Sequence, residues 1–135
     1  MRTILSILIL LALTASTVHR NTAWNTLLSL WEDCAAKSPD KSRTHNNLGN
    51  CNLLLGRYFP AIEEYRRAVA LDPANMEAYY NLATTLDIAG LSVEAIGPYS
   101  VFCREAPRNY AVQQQQACER LRGLIAGSGN AGTGK

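Results

Sequence analysis

The sequence lacks any strong excess of charge of one sign. Its formal net charge is +2. It has no Lys/Arg-rich run, since Arg66-Arg67 follows Glu63-Glu64 and reads as a solvated helix face. No polyanion partner is implied, so nucleic acid is not an expected ligand. Histidine is scarce: His19 and His45 lie far apart, and His45 reads as a helix-face residue. No Ser, Thr or Asp joins a nucleophile–base arrangement, so the chain is not expected to be an enzyme. The cysteines, Cys34, Cys51, Cys103 and Cys118, show no CxxC spacing. Zinc is therefore not expected, and no cofactor is implied. The apolar run Ile4 to Val18 is about 15 residues long, whereas a full membrane span takes roughly 20.

What the sequence does contain is a repeat. Ser42 to Asn75 is followed 34 residues on by Met76 to Asn109. Asn47-Leu48 recurs as Asn81-Leu82, Gly56 as Gly90, Ala61-Ile62 as Ala95-Ile96, Tyr65 as Tyr99 and Pro73 as Pro107. A fixed period of this size means stacked units, none of which can bury its apolar face alone. Each copy predicts two antiparallel helices. In the first copy these run from about Arg43 to Leu55, ended by Gly56, and from near Phe59, with Pro60 in the first turn. Ala61, Tyr65 and Ala68 share one buried stripe. In the second copy Gly97-Pro98 falls inside the second helix. With Ser92 as N-cap, a bend is expected near Glu94 to Pro98. Phe102 replaces a small residue where the next helix must pack, so this end of the stack is expected to dock loosely. One further helix, Tyr110 to Leu124, would cap the stack.

The period and residue types resemble the tetratricopeptide repeat. The signature positions are His45, Leu48, Gly49, Asn52, Ala61, Tyr65, Ala68 and Pro73, then Tyr79, Leu82, Ala83, Leu86, Ala95, Tyr99, Phe102 and Pro107. Counting back in the same frame, Leu27, Trp31, Cys34 and Pro39 match a preceding second helix, Thr22 to Lys37. The expected fold is all-α: a helix-turn-helix solenoid of a half repeat, two full repeats and a capping helix, behind an N-terminal apolar helix. Its parts are residues 1–19, an apolar membrane or signal segment; 20–124, the repeat domain; and 125–135, a flexible Gly-rich tail. The last residues resemble half a phosphate-binding loop but lack its first glycine and following helix. The cysteines fall where such repeats take small buried residues. If the domain lies outside the cytoplasm, Cys34–Cys51 and Cys103–Cys118 can each bridge adjacent helices.

The apolar segment admits three readings: a secretory signal, a short membrane helix, or a core helix completing the first repeat. Arg20-Asn21, Trp24 and Leu30-Trp31 resemble the membrane-to-repeat junction of polytopic transmembrane-and-tetratricopeptide-repeat proteins and of related glycosyltransferase-like membrane proteins. That likeness implies membrane-anchored, extracytoplasmic repeats; secretion after signal cleavage is the alternative. Trp24 then reads either as an interfacial anchor or as a core aromatic.

The resemblance implies protein–protein interaction, with first helices lining a concave groove. Some members carry asparagines at the position of Asn47 and Asn81 that bond the backbone of an extended peptide. An amide suits this, offering donor and acceptor together. Asn46, Asn50, Glu77, Tyr80 and Thr84 would share that face. The competing reading is that these asparagines only tie neighbouring repeats. Asn50 and Asn81 match asparagines of the family's carboxylate clamp. Asn46, Ala111 and Gln115 replace its basic residues, so an acidic C-terminal tail is not the expected ligand. The expected partner is a protein or peptide. Homodimerisation through unpaired terminal helices, and a place at the C-terminal end of a larger glycosyltransferase-like membrane protein, are alternatives.

Overall fold

The computed structural model describes residues 2–130, apart from the side chains of residues 2–5, 8, 11, 15, 16, 18–25 and 128–130. The helices are α1 (Arg2–Lys37), α2 (Ser42–Leu54), α3 (Tyr58–Leu71), α4 (Met76–Ile88), α5 (Ser92–Glu105) and α6 (Ala111–Asn130), with a 3-10 turn at Arg108–Tyr110 before α6. Each helix packs on its neighbours in sequence, and α2 also touches α4. Such nearest-neighbour stacking is the architecture of a solenoid.

The two repeats are built alike, residue for residue. Gly56 and Gly90 take φ of +71° and +81°, a conformation that costs glycine nothing. Behind each, an N–H reaches back to close the helix: Arg57 to the Asn52 carbonyl at 2.9 Å, and Leu91 to the Leu86 carbonyl at 2.9 Å. Pro60 lies in the first turn of α3, where no backbone donor is missed. Ala61, Tyr65 and Ala68 are fully buried, as their spacing predicts. Gly49 is required by Tyr65: a Cβ there would stand 2.6 Å from a ring carbon.

The main core runs from α3 to α6 through Ile62, Tyr65, Leu82, Leu86, Tyr99, Phe102 and Ala117. Burial pushes the Tyr99 phenol up to about 12 and the Tyr65 phenol further. A separate small core, Leu28, Leu48 and Cys51, joins α1 to α2.

Several expectations need correction. The apolar segment and the half repeat's helix are not separate, because α1 is continuous from Arg2 to Lys37. Among the described residues no helix is long and apolar enough to cross a membrane. The Trp24 side chain lies outside the described residues. The Tyr110 to Leu124 helix is longer than expected and reaches Asn130; residues 131–135 lie outside the description. Ser92 is not an N-cap: Leu91 is, and the Ser92 hydroxyl donates to Asp87 Oδ1 at 2.9 Å.

Helix α5 is assigned without interruption across Pro98. Residue Glu94, whose carbonyl Pro98 cannot reach, is exposed, so water is available to it. Phe102 does not obstruct the last helix. It is fully buried, with its ring 5.1 Å from Tyr80 and 5.8 Å edge-on from Tyr110. Its bulk fills the α4–α5–α6 junction. A disulfide, Cys103–Cys118, joins α5 to α6, while Cys34 and Cys51 are free thiols. One of the two conditional bridges therefore forms and the other does not.

Candidate functional site: the end of the groove

The first helices of successive units are α2, α4 and α6. Their sequence-predicted groove residues fall into two overlapping sets, with Asn46 and Glu77 in both.

One set is consumed in holding the stack. Tyr65 Oη donates to Asn50 Oδ1 at 2.7 Å. Asn81 Nδ2 donates to Asn50 Oδ1 at 3.2 Å and to Asn46 Oδ1 at 3.0 Å. Asn46 Nδ2 donates to Glu77 Oε1 at 3.0 Å. This chain of bonds runs from α3 through α2 to α4. It satisfies the nearly buried Asn46, which would otherwise carry a desolvation cost. Thr84 Oγ1 donates to its own helix at the Tyr80 carbonyl, 2.9 Å away, and Tyr80 packs on Phe102. Asn50, Tyr80, Asn81 and Thr84 therefore serve the repeat interface.

The other set opens onto a cavity of about 680 Å³ where α2, α4 and α6 begin. Asn46, Asn47 and Glu77 line it, joined by Arg43, Asn75 and Tyr110. Asn47 is half-buried, and among the described residues its amide makes no side-chain hydrogen bond. The wall is mostly polar, with Arg43 set against Asp72, Glu77 and Glu105. The amide of Asn47, the guanidinium of Arg43 and the carboxylate of Glu77 can together meet donors and acceptors of a bound chain. Sequence reasoning missed Arg43, Asn75 and Tyr110. Arg43 was within reach, because it precedes Glu77 by 34 residues and so occupies the same site one repeat earlier. Tyr110 was not, because the 3-10 turn that presents it has no counterpart in the repeats.

The loops around the cavity are locked. Asn75 caps α4, accepting from the Ala78 N–H at 3.1 Å, and donates to Ser42 Oγ at 2.8 Å. Ser42 Oγ in turn donates to the Ala68 carbonyl at 2.8 Å. His45 is buried: Nε2 donates to the Pro39 carbonyl at 2.9 Å, and Nδ1 meets Glu64 Oε2 at 2.6 Å. That links the α1–α2 connection to α3. On the far side, Arg120 Nε and NH2 reach Asp87 at 2.6 and 2.8 Å, and Gln114 donates to the Cys103 carbonyl at 2.8 Å. The Arg120 and Ser92 bonds hold the Asp87 carboxyl below its usual range. Among the described residues no group of three or more His, Cys, Asp or Glu side chains could hold a metal ion.

A family model described as TPR repeat matches residues 52–86, from the end of α2 through α4. No curated protein sequence matches the chain. Solved structures do match in fold. The Yersinia enterocolitica type III secretion chaperone SycD, in complex with a peptide of the translocator YopD, superposes with a TM-score of 0.73 at 16% identity, covering 84% of this chain and 88% of that one. The TPR2B domain of yeast Sti1, in a pHsp70 complex, gives 0.68 at 15% identity over 82% and 90%. The first TPR of Spaghetti, bound to an HSP90 peptide, gives 0.66 at 16% identity over 84% and 89%. The glycosyltransferase-like setting finds no support among these. The 34-residue repeat, the repeat model matched over residues 52–86 and the solenoid shared with these structures agree: the chain carries tetratricopeptide-type repeats in a solenoid fold.

Proposed function

We propose that this protein is an interaction module that holds an extended segment of a partner protein at the end of its groove. The observation that carries the reading is Asn47. Its amide has no internal partner and lines a polar cavity between the starts of α2 and α4 and the Glu105–Tyr110 connection. Three structures of like fold are of complexes with a peptide or a partner protein, which supports the same class of function. Recognition here would use hydrogen bonds from the Asn47 side-chain amide to the main chain of the partner, with Arg43 and Glu77 selecting charge.

Peptides selected by display against the full chain test this. Asn47→Ala should weaken a selected peptide about fivefold, roughly 1 kcal/mol for one hydrogen bond, and leave the melting temperature unchanged. Asn81→Ala should do the reverse, because its amide ties α4 to α2. Equal loss of stability in both variants, with no separate binding defect, would reduce Asn47 to a structural residue.

The N-terminal part of α1 is read as the membrane-directed part of the chain, with the repeats outside the cytoplasm. Two observations support this. Ile7, Ile9, Leu10 and Leu13 are all more than half exposed, and the Cys103–Cys118 bridge suits an oxidising compartment. Fractionation of cells carrying a C-terminal reporter tests it, and a fully cytosolic product would refute it.

A further inference from the structure

Four large apolar side chains stand exposed along one edge of the solenoid. Leu54 (57%) and Phe59 (66%) flank the α2–α3 turn; Ile88 (62%) and Val93 (75%) flank the α4–α5 turn. The second pair follows the first by 34 residues, so the same two sites are apolar in both repeats. Neither pair belongs to a core cluster. Arg57 lies exposed in the first of these turns. The acids next to Ile88 and Val93 in the chain are already engaged, Asp87 by Arg120 and Glu94 by Arg66.

Helix α1 passes this same edge. It runs antiparallel to α2, and its Leu27 and Leu28 share a cluster with Leu48, Cys51 and Leu55 at the end of α2. Residues before Leu27 therefore continue beyond the turns, by roughly 37 Å at 1.5 Å per residue. From Ile7 to Leu13 there is no polar residue, so the helix has no polar side over that stretch.

We propose that this edge is a lipid-contacting surface, on which Leu54, Phe59, Ile88 and Val93 enter the headgroup boundary beside the point where α1 enters the bilayer. The proposal rests on the membrane reading of α1. Lipid is favoured over a second copy because a partner helix would cover one stripe of α1, whereas lipid covers its whole circumference. The apolar run Ile4 to Val18 is about 22 Å long as a helix, against a hydrocarbon core of about 30 Å. A helix this short is accommodated by local thinning of the bilayer or by flanking residues that reach the interface, and either brings the protein around its exit close to the headgroups. The edge bearing the four side chains is what arrives there, and Arg57 meets the phosphate layer.

Flotation of the full chain with vesicles of phosphatidylcholine and phosphatidylglycerol tests the proposal. A variant with Leu54→Ser, Phe59→Ser, Ile88→Ser and Val93→Ser should bind at least tenfold more weakly, about 1.4 kcal/mol, with helicity and melting unchanged. If that variant unfolds, Phe59→Ser alone should still weaken binding severalfold. A second variant, Ile9→Ser, Leu10→Ser and Leu13→Ser, reports on α1 separately. Binding lost in the α1 variant but unchanged in a folded edge variant would overturn the edge proposal and leave the attachment of α1 standing. A wild-type chain that ignores vesicles would overturn both. A lipid-free dimer dissociated by the edge substitutions, with vesicle binding unaffected, would assign the edge to a second copy instead.

Discussion

At the scale of single residues, close approach and charge pairing give the sharpest expectations. Gly49 lets the Tyr65 ring lie against the α2 backbone. Gly49→Ala brings a methyl within 2.6 Å of that ring, and the buried Tyr65 has no room to withdraw. Denaturant unfolding should show a loss of about 1–3 kcal/mol, the usual cost of overpacking. Asp87 makes a pH prediction. Its carboxyl is held low by the Arg120 guanidinium first and the Ser92 hydroxyl second. A depressed folded value means the stabilisation is complete above the unfolded value of about 3.9. It is then lost as pH falls through the folded one. The melting temperatures of wild type and Asp87→Asn should therefore differ at pH 6 and converge towards pH 2; a constant gap would rule out this linkage.

At the scale of elements, the junction of α5 and α6 decides how the stack ends. Phe102, Tyr80 and Tyr110 fill it, and the Cys103–Cys118 bridge closes it across a separation of 15 residues. A loop of that length constrains the unfolded chain by about 3 kcal/mol. Cys103→Ser with Cys118→Ser should lower stability by about that amount, and reductant should reproduce the loss in the wild type only. Free Cys51 is buried, and desolvation raises its thiol; it should not respond to mild alkylation. Pro98 is the other feature of α5. Its missing N–H leaves the Glu94 carbonyl without a helical partner, and Gly97 adds backbone freedom beside it. Changing both to Glu, as at Glu63-Glu64 in the first repeat, should raise stability by about 2–4 kcal/mol. An unmoved melting temperature would mean that the helix has fully adapted to the proline.

At the scale of the whole molecule, the two cores are unequal. The larger one spans α3 to α6 and is reinforced by a disulfide, while α1 is held to α2 by the smaller cluster around Leu28, Leu48 and Cys51. Opening should therefore start at the α1 end. In native-state hydrogen exchange the amides of α1 around Leu28 should exchange before those of α6 around Cys118. Release of α6 first in the oxidised protein would contradict this ranking. Phe102 and Pro98 taken singly predict a loose α6 end; the Tyr80 and Tyr110 rings around Phe102 and the Cys103–Cys118 bridge argue for the opposite order.

The sequence by itself determined the solenoid. The 34-residue period, the glycines behind α2 and α4, and the buried Ala61, Tyr65 and Ala68 all follow from local propensity and periodicity, which neighbours in the chain set. It also brought Asn46, Asn47 and Glu77 to one face, because equal register places residues on equal sides of stacked helices. Only the tertiary structure decided which of those polar groups remain available. Asn50 and Asn81 are taken up by one another, by Asn46 and by Tyr65, and hydrogen-bond partners across helices are a matter of ångströms that spacing does not encode. The same holds for the cysteines. Four thiols at helical positions look alike in sequence, but only Cys103 and Cys118 have Cα atoms 5.6 Å apart and joined, because a bridge needs two backbones brought together. The exposed row Leu54, Phe59, Ile88 and Val93 was written in the sequence as a repeat of apolar residues. That they face outwards rather than into the core was settled by the packing of the two turns.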